Sequence, residues 1–299
     1  MAVTVECVPN FSEGRRKEII DKIVYSIRSV PGIKVLDVEM DPDHNRSVVT
    51  FTGNKETVQE GAFRGARAAK ELIDLNKHKG QHPRMGALDV LPFIPISGVT
   101  MDDCVEIANR VGARIAKELK IPVYLYEAAA RKPERRNLEN IRKGEFEGLR
   151  EAIVSDESRY PDYGPRMIHP TAGATAVGAR MPLIAFNVNL RTKDVSIAKL
   201  IAKKIRASNG GLPSVKALGF MLEERGMAQI SMNLTDYTVT PISKVYDAIK
   251  KETDAAGVEI AEGEIIGLIP LDAVCDVASR YLNIRSFTSN QVLERRIWG

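Results

Sequence analysis

One order of strand-like and helix-like segments occurs twice in this chain, and that repetition constrains its fold more than any other feature. Val3 to Val8 (VTVECV) is a β-type run, after which Ile19, Ile20, Ile23, Val24 and Ile27 recur at helical spacing as far as the Pro31-Gly32 turn. Ile33 to Met40 and Ser47 to Thr52 read as strands joined by the turn-rich DPDHNR of residues 41 to 46, an antiparallel hairpin. From Lys55 a second helix keeps Val58, Ala62, Ala66, Ala69, Leu72 and Ile73 on one face, and after a long loop Leu88 to Ile96 forms another strand. The order is β-α-β-β-α-β, the ferredoxin-like arrangement. Thr100 then caps a helix running to about Leu119, a strand at Ile121 to Tyr126 is expected to join the sheet, and residues 132 to 153 are helical in tendency. Closely spaced prolines and glycines between Ser155 and Thr175 predict a long loop of functional character.

The second half restates the pattern: strand 183 to 190, helix 194 to 208, strands 215 to 223 and 228 to 234 across the Arg225-Gly226 turn, a helix from Pro241 to Ala256, and strand 264 to 269. Ile94-Pro95 and Ile269-Pro270 close the two units alike. The expectation is an α/β (α+β) chain of two ferredoxin-like domains, 1–180 and 181–299, with mixed sheets and a ligand-binding groove between them.

Composition narrows the function. The 299 residues carry 43 Lys+Arg against 39 Asp+Glu with no long run of one sign, and the two candidate RNA-facing strands, SVVTFT and AQISMN, offer Phe51 as their only stacking aromatic. A nucleic-acid partner is not expected. Cys7, Cys104 and Cys275 lack zinc, redox or disulfide spacing, Glu6 interrupts any apolar leader, and no segment is long and apolar enough to span a membrane. A cytoplasmic location follows as the expectation.

All four histidines, His44, His78, His82 and His169, fall in predicted loops. His78 and His82 have the spacing of a metal pair on a helix, but Gly80 and Pro83 oppose that helix, and no metal is expected. The segment Lys77 to Asp89 (KHKGQHPRMGALD) gathers Lys77, Lys79 and Arg84 around two histidines. Neighbouring cations bias His82 toward its neutral, proton-accepting form and could hold substrate carboxylates. GATAVGAR at 173 to 180 has phosphate-loop glycine spacing but no Lys-Ser/Thr, leaving a glycine-rich domain crossing or a ligand contact. Asp37, Glu39, Asp41 and Asp43 lack a calcium-loop pattern and read as a strand end and a solvated turn, with one carboxylate facing the groove.

ECVPNFSEG at 6 to 14, HKGQHPRMGALD at 78 to 89 with PFIP at 92 to 95, VYLY at 123 to 126, and GAT with GAR at 173 to 180 followed by IAFNVNL together resemble the glutamate formimidoyltransferase family, over nearly the whole chain. The resemblance implies transfer of a formimino group from N-formimino-L-glutamate to N5 of tetrahydrofolate, a step of histidine breakdown, with tetrahydrofolate as co-substrate and a homodimer as the assembly. In animals this domain is fused to a cyclodeaminase, and a chain ending at Gly299 leaves no room for one, so a monofunctional enzyme is expected. The family's catalytic histidine falls on His82. Its folate-contacting stretch falls on Gly164, Pro165, Arg166, Met167, Ile168, His169, Pro170, Thr171, Ala172 and Gly173. Ala172 stands where the animal pattern has a tryptophan, which removes a flat surface for the pterin, and His169 stands where an apolar residue is expected. Glu39 replaces an aspartate and is still expected to face the groove.

The chemistry is consistent with these residues. A neutral His82 can take the proton from N5 as it attacks the amidine carbon, then return it to the departing glutamate nitrogen. Glu39 could orient the cationic amidine while Lys79 or Arg84 engages the glutamate carboxylates. The same chemistry on formiminoglycine or formylglutamate, and a non-catalytic folate carrier that needs no His82, are the competing readings.

Overall fold

A computed structural model describes residues 3–80, 83–223 and 225–298. The chain divides into two compact units, residues 1–180 and 181–299, and each has its own apolar core.

In the first unit the chain runs β1 (Thr4–Cys7), β2 (Asn10–Phe11), α1 (Lys17–Arg28), β3 (Lys34–Asp41), β4 (Arg46–Gly53), α2 (Lys55–Leu72), β5 (Leu88–Ser97), α3 (Met101–Arg114), β6 (Val123–Glu127), α4 (Leu138–Arg142), α5 (Glu145–Ser155) and β7 (Thr175–Ala179). Helix starts follow their capping chemistry. The Asn54 side chain accepts from the N–H groups of Glu56 and Thr57 at 3.1 and 2.8 Å, and Thr100 and Asp103 bond reciprocally ahead of α3. β4 pairs antiparallel with β3 on one side and with β1 and β2 on the other; β1 and β2 then pair antiparallel with β5. That is the ferredoxin-like order, extended by β7 and β6, which continue the sheet in parallel beyond β5. Strand alternation sends Cys7, Phe51 and Phe93 into one core with Ile20 and Ile23 of α1, Ala66 of α2 and Val111 of α3.

The second unit comprises β8 (Ile184–Leu190), α6 (Val195–Ile205), β9 (Val215–Leu222), β10 (Met227–Leu234), α7 (Ile242–Ala255), β11 (Ile260–Ile266), α8 (Leu271–Tyr281) and α9 (Leu293–Trp298), its sheet ordered β11-β8-β10-β9. Phe186, Val188, Ile230 and Met232 pack with Ile201 of α6 and Val245 of α7. The alternate positions are polar: Asn189 donates to Glu262 and accepts from Gln229, each at 2.9 Å.

Several sequence expectations change. The mixed sheet belongs to the first unit alone, because the strands of the second unit's sheet pair antiparallel. GATAVGAR is not a domain crossing; Thr175–Ala179 is a buried strand between β5 and β6, where small residues suit close packing. A Cβ on Gly178 would meet Tyr126 atoms at 2.5 Å. The strand expected at 121 to 126 joins the sheet, as its edge, against β7. The helical stretch 132 to 153 is cut at Lys143-Gly144, where Gly144 (φ 87°) and Glu145 (φ 55°) take left-handed backbone. The last strand of the second unit covers 260–266, so Ile269-Pro270 lies beyond it.

Candidate active site

Three segments distant in sequence meet at one end of the first sheet: residues 10–16 after β1, the β3–β4 turn, and the connection from α2 to β5. Asn45 ties them together. Its side chain accepts from Gly14 N–H at 2.9 Å and donates to Lys79 O at 3.0 Å, while its own carbonyl receives a 2.9 Å bond from His78 Nε2. Asn45 is buried with φ 49°, a left-handed conformation asparagine tolerates better than most residues. The backbones approach too closely for side chains at two glycines. A Cβ on Gly14 would lie 2.2 Å from Asp41 O, and one on Gly80 would lie 2.3 Å from His44 O.

Glu13 is also buried, and its carboxylate accepts from Arg15 and Arg16 N–H at 2.9 and 3.0 Å and from Arg16 Nε at 2.7 Å. Burial raises its pKa, but these donors outweigh burial and hold it below the usual carboxylate value. Ser12, Glu13, Arg16, Asn45, Lys77 and His78 line most of a cavity of about 260 Å³.

Within the α2–β5 connection, His78 Nδ1 accepts from Arg84 Nε at 3.2 Å. With Nε2 facing a carbonyl and Nδ1 facing an N–H donor, the ring is fixed as the neutral Nε2–H tautomer. Burial, with the Arg84 charge acting in the same direction, pushes its pKa below the ordinary imidazole value. Arg84 is itself buried and fully engaged: Glu147 takes both terminal nitrogens at 2.7 and 2.8 Å, and Glu145 accepts at 3.1 Å. Arg84 is one of the two cations the sequence offers for a substrate carboxylate, the other being Lys79. Its guanidinium is taken up by protein carboxylates, whereas Lys79 is exposed.

Asp89 organises the next turn, accepting from Met85 N–H at 2.7 Å and from Arg142 at 2.6 Å. The Nε of Arg142 is buried with no hydrogen-bond partner among the described residues. Glu39 on β3 is half-buried, opposite Val48 of β4, and shares its surroundings with Arg46. Loss of solvent lowers the pKa of Arg46, Arg142 adds to that effect, and Asp89, Asp41 and Glu39 oppose it. Asp41 builds the turn instead: its carboxylate accepts from Asp43 and His44 N–H and from the His44 ring, the last at 2.6 Å.

The stretch Gly164–Gly173 adjoins this assembly through Leu75 N–H to Thr171 O and Asn76 to Pro170 O, both 2.9 Å. Gly86 and Gly173 face each other in a backbone bridge with no room for a Cβ on either. The ten residues divide in character. Gly164, Arg166, Met167 and Pro170 are exposed, Pro165, His169 and Thr171 are half-buried, and Ile168, Ala172 and Gly173 are buried, Ile168 and Ala172 within the first core. Arg166 stacks on Tyr160, 3.9 Å from the ring centre. His169 closes a turn, its Nδ1 accepting from Ala172 and Thr171 N–H, and burial lowers its pKa. The imidazole thus replaces an apolar side chain by supplying a turn acceptor.

His82, with Gln81, lies outside the described residues. Sequence reasoning missed Asn45, Glu13, Asp89, Arg142, Glu145 and Glu147. The DPDHNR turn and the ECVPNFSEG motif signalled the first two, but nothing local signals that Glu145 and Glu147 reach Arg84. Among the described residues no group of three or more His, Cys, Asp or Glu side chains gathers to hold a metal ion, all three cysteines are buried and unpaired, and no helix is long and apolar enough to cross a membrane.

Comparison with known proteins matches this architecture unit by unit. A family model for the formiminotransferase domain, N-terminal subdomain, covers residues 4–180, and one for the formiminotransferase domain covers residues 185–295. A protein of Streptococcus pyogenes serotype M1 named glutamate formimidoyltransferase is 50% identical over 300 residues, covering 100% of both chains. One of the same name from Thermoplasma acidophilum is 48% identical across 98% of this chain and 97% of its own. The formimidoyltransferase-cyclodeaminase of Rattus norvegicus is 47% identical over 94% of this chain, which matches 53% of that longer protein. With both units matched in order and the identity sustained end to end, the chain belongs to the formiminotransferase-domain family.

Proposed function

We infer that this chain is an enzyme that transfers the formimino group of N-formimino-L-glutamate to N5 of tetrahydrofolate, giving 5-formimidoyltetrahydrofolate and L-glutamate. The observation that carries this reading is the 50% identity, without gaps in coverage, to a protein named glutamate formimidoyltransferase.

In the reaction, N5 attacks the amidine carbon and loses its proton, and the tetrahedral adduct collapses when the glutamate nitrogen leaves with a proton. His82 is the proposed carrier of that proton, accepting it in the first step and delivering it in the second. The amidine is cationic near neutral pH, so a half-buried carboxylate such as Glu39 suits its recognition, and exposed Lys79 suits a substrate carboxylate. The exposed members of Gly164–Gly173, above all Arg166 and Met167, are proposed to meet tetrahydrofolate. Buried Ile168 and Ala172 support that surface from beneath. Three unpaired thiols suit a reducing, cytoplasmic setting, and the family resemblance supports a homodimer.

The test is glutamate release from N-formimino-L-glutamate with and without tetrahydrofolate, alongside formiminoglycine and formylglutamate as donors. Release that requires tetrahydrofolate and favours formiminoglutamate supports the reading. Preference for another donor, or folate binding without turnover, rejects it.

A further inference from the structure

The turn that ends the Gly164–Gly173 stretch is organised by a ring nitrogen. His169 N–H donates to Gly173 O at 2.9 Å and Gly173 N–H to His169 O at 3.0 Å. Within that bridge His169 Nδ1 accepts from Ala172 and Thr171 N–H at 3.1 and 3.3 Å. An imidazole nitrogen that accepts does not carry the proton, so the neutral ring is the Nε2–H tautomer. Nε2 lies on the side of the ring away from these donors. It has no hydrogen-bond partner among the described residues and is not buried. The turn thus fixes one N–H donor in place and leaves it open to a ligand.

The charges around the ring are mainly positive. Lys70, in the last turn of α2, is half-buried, and its ammonium makes no ion pair among the described residues. Burial and then the Lys70 charge lower the pKa of His169, which keeps the ring neutral. Asn76 donates to Pro170 O and accepts from Arg150, each at 2.9 Å, so α5 brings a second cation toward the same turn. The nearby carboxylate, Asp74, is already engaged by the Asn76 backbone and side-chain N–H groups. An N–H donor beside an unpaired, partly desolvated ammonium is a pairing suited to a carboxylate.

We propose that His169 and Lys70 bind a carboxylate of the glutamate moiety of tetrahydrofolate, His169 Nε2–H donating a hydrogen bond and Lys70 supplying the charge. The proposal rests on the reading that Gly164–Gly173 meets tetrahydrofolate, and it names the part of that molecule held there. The glutamate is at the opposite end of the molecule from N5, so this contact serves binding of the acceptor and its loss falls on KM rather than kcat.

The experiment measures kcat and KM of the full chain and its His169→Asn, His169→Ala and Lys70→Gln variants with tetrahydrofolate and with tetrahydropteroate, which lacks the glutamate; melting temperature is the control. Asn Oδ1 can replace Nδ1 as the turn acceptor, but its amide does not reach as far as Nε2. Wild-type KM should be about 10- to 10²-fold higher for tetrahydropteroate, the worth of a hydrogen bond to a charged group. His169→Asn and Lys70→Gln should each raise the tetrahydrofolate KM about tenfold and the tetrahydropteroate KM less than about twofold. His169→Ala, which loses the turn as well, should raise both. Equal wild-type KM values for the two acceptors would overturn the proposal, as would His169→Asn with wild-type KM values or with equal increases for both acceptors. Amide exchange of the wild type with and without tetrahydrofolate separates the parent reading: no protection within residues 164–173 means that reading has failed, whereas protection there without the acceptor selectivity means that the proposal alone has failed.

Discussion

Asn45 is the residue on which the site's local order depends most. Replacing it with Ala removes two side-chain hydrogen bonds and leaves a β-carbon at φ 49° without the amide by which asparagine tolerates that backbone; replacing it with Gly removes the bonds but accepts the backbone. Asn45→Ala should therefore destabilise the first unit by about 2–4 kcal/mol and Asn45→Gly by about 1 kcal/mol less, read by chemical denaturation. Equal losses would mean that the left-handed backbone carries no strain for Ala. The histidines give a pH signature. His78 and His169 both have folded-state pKa values depressed chiefly by burial, so each contributes stability that is present above the ordinary imidazole pKa of about 6.5 and lost as pH falls through its lower folded value. Melting temperature should fall between about pH 6.5 and pH 5, less steeply in His78→Gln, and a flat profile in the wild type would contradict these environments.

The elements were largely legible because their signals are local. The apolar spacing of Ile19 to Ile27 and of Val58 to Ile73, the cap at Thr100, and the hairpin at DPDHNR each dictate structure within one window, and α1, α2, α3 and the β3–β4 pair follow them. Strand β7 was not legible, since Thr175–Ala179 consists of small residues that resemble a loop until β5 and β6 enclose them. The site divides likewise. The 77–89 motif was readable, but the occupation of Arg84 by Glu145 and Glu147 depends on a break at Gly144 that no periodicity reveals. The bridge between Gly86 and Gly173 links these elements, and a Cβ on Gly86 would lie 1.9 Å from Ala174 O. Gly86→Ala should cost more than about 2 kcal/mol and increase amide exchange on both sides, at residues 85–87 and 172–174. Exchange confined to 85–87 would show that the two segments are not coupled.

At the scale of the whole molecule, two separate cores imply two folding units. Residues 181–299 expressed alone should give a cooperatively unfolding domain without transferase activity, because the motif loop and the Gly164–Gly173 stretch both belong to the first unit. A non-cooperative, unfolded fragment would refute the independence of the second core. The most direct test of formimino transfer follows both products in one mixture: L-glutamate and 5-formimidoyltetrahydrofolate formed from N-formimino-L-glutamate and tetrahydrofolate. The expected result is equimolar formation of the two, none without tetrahydrofolate, and a loss of about 10²- to 10⁴-fold in His82→Ala. Glutamate release independent of tetrahydrofolate, or no release at all from the folded wild-type chain, would contradict it.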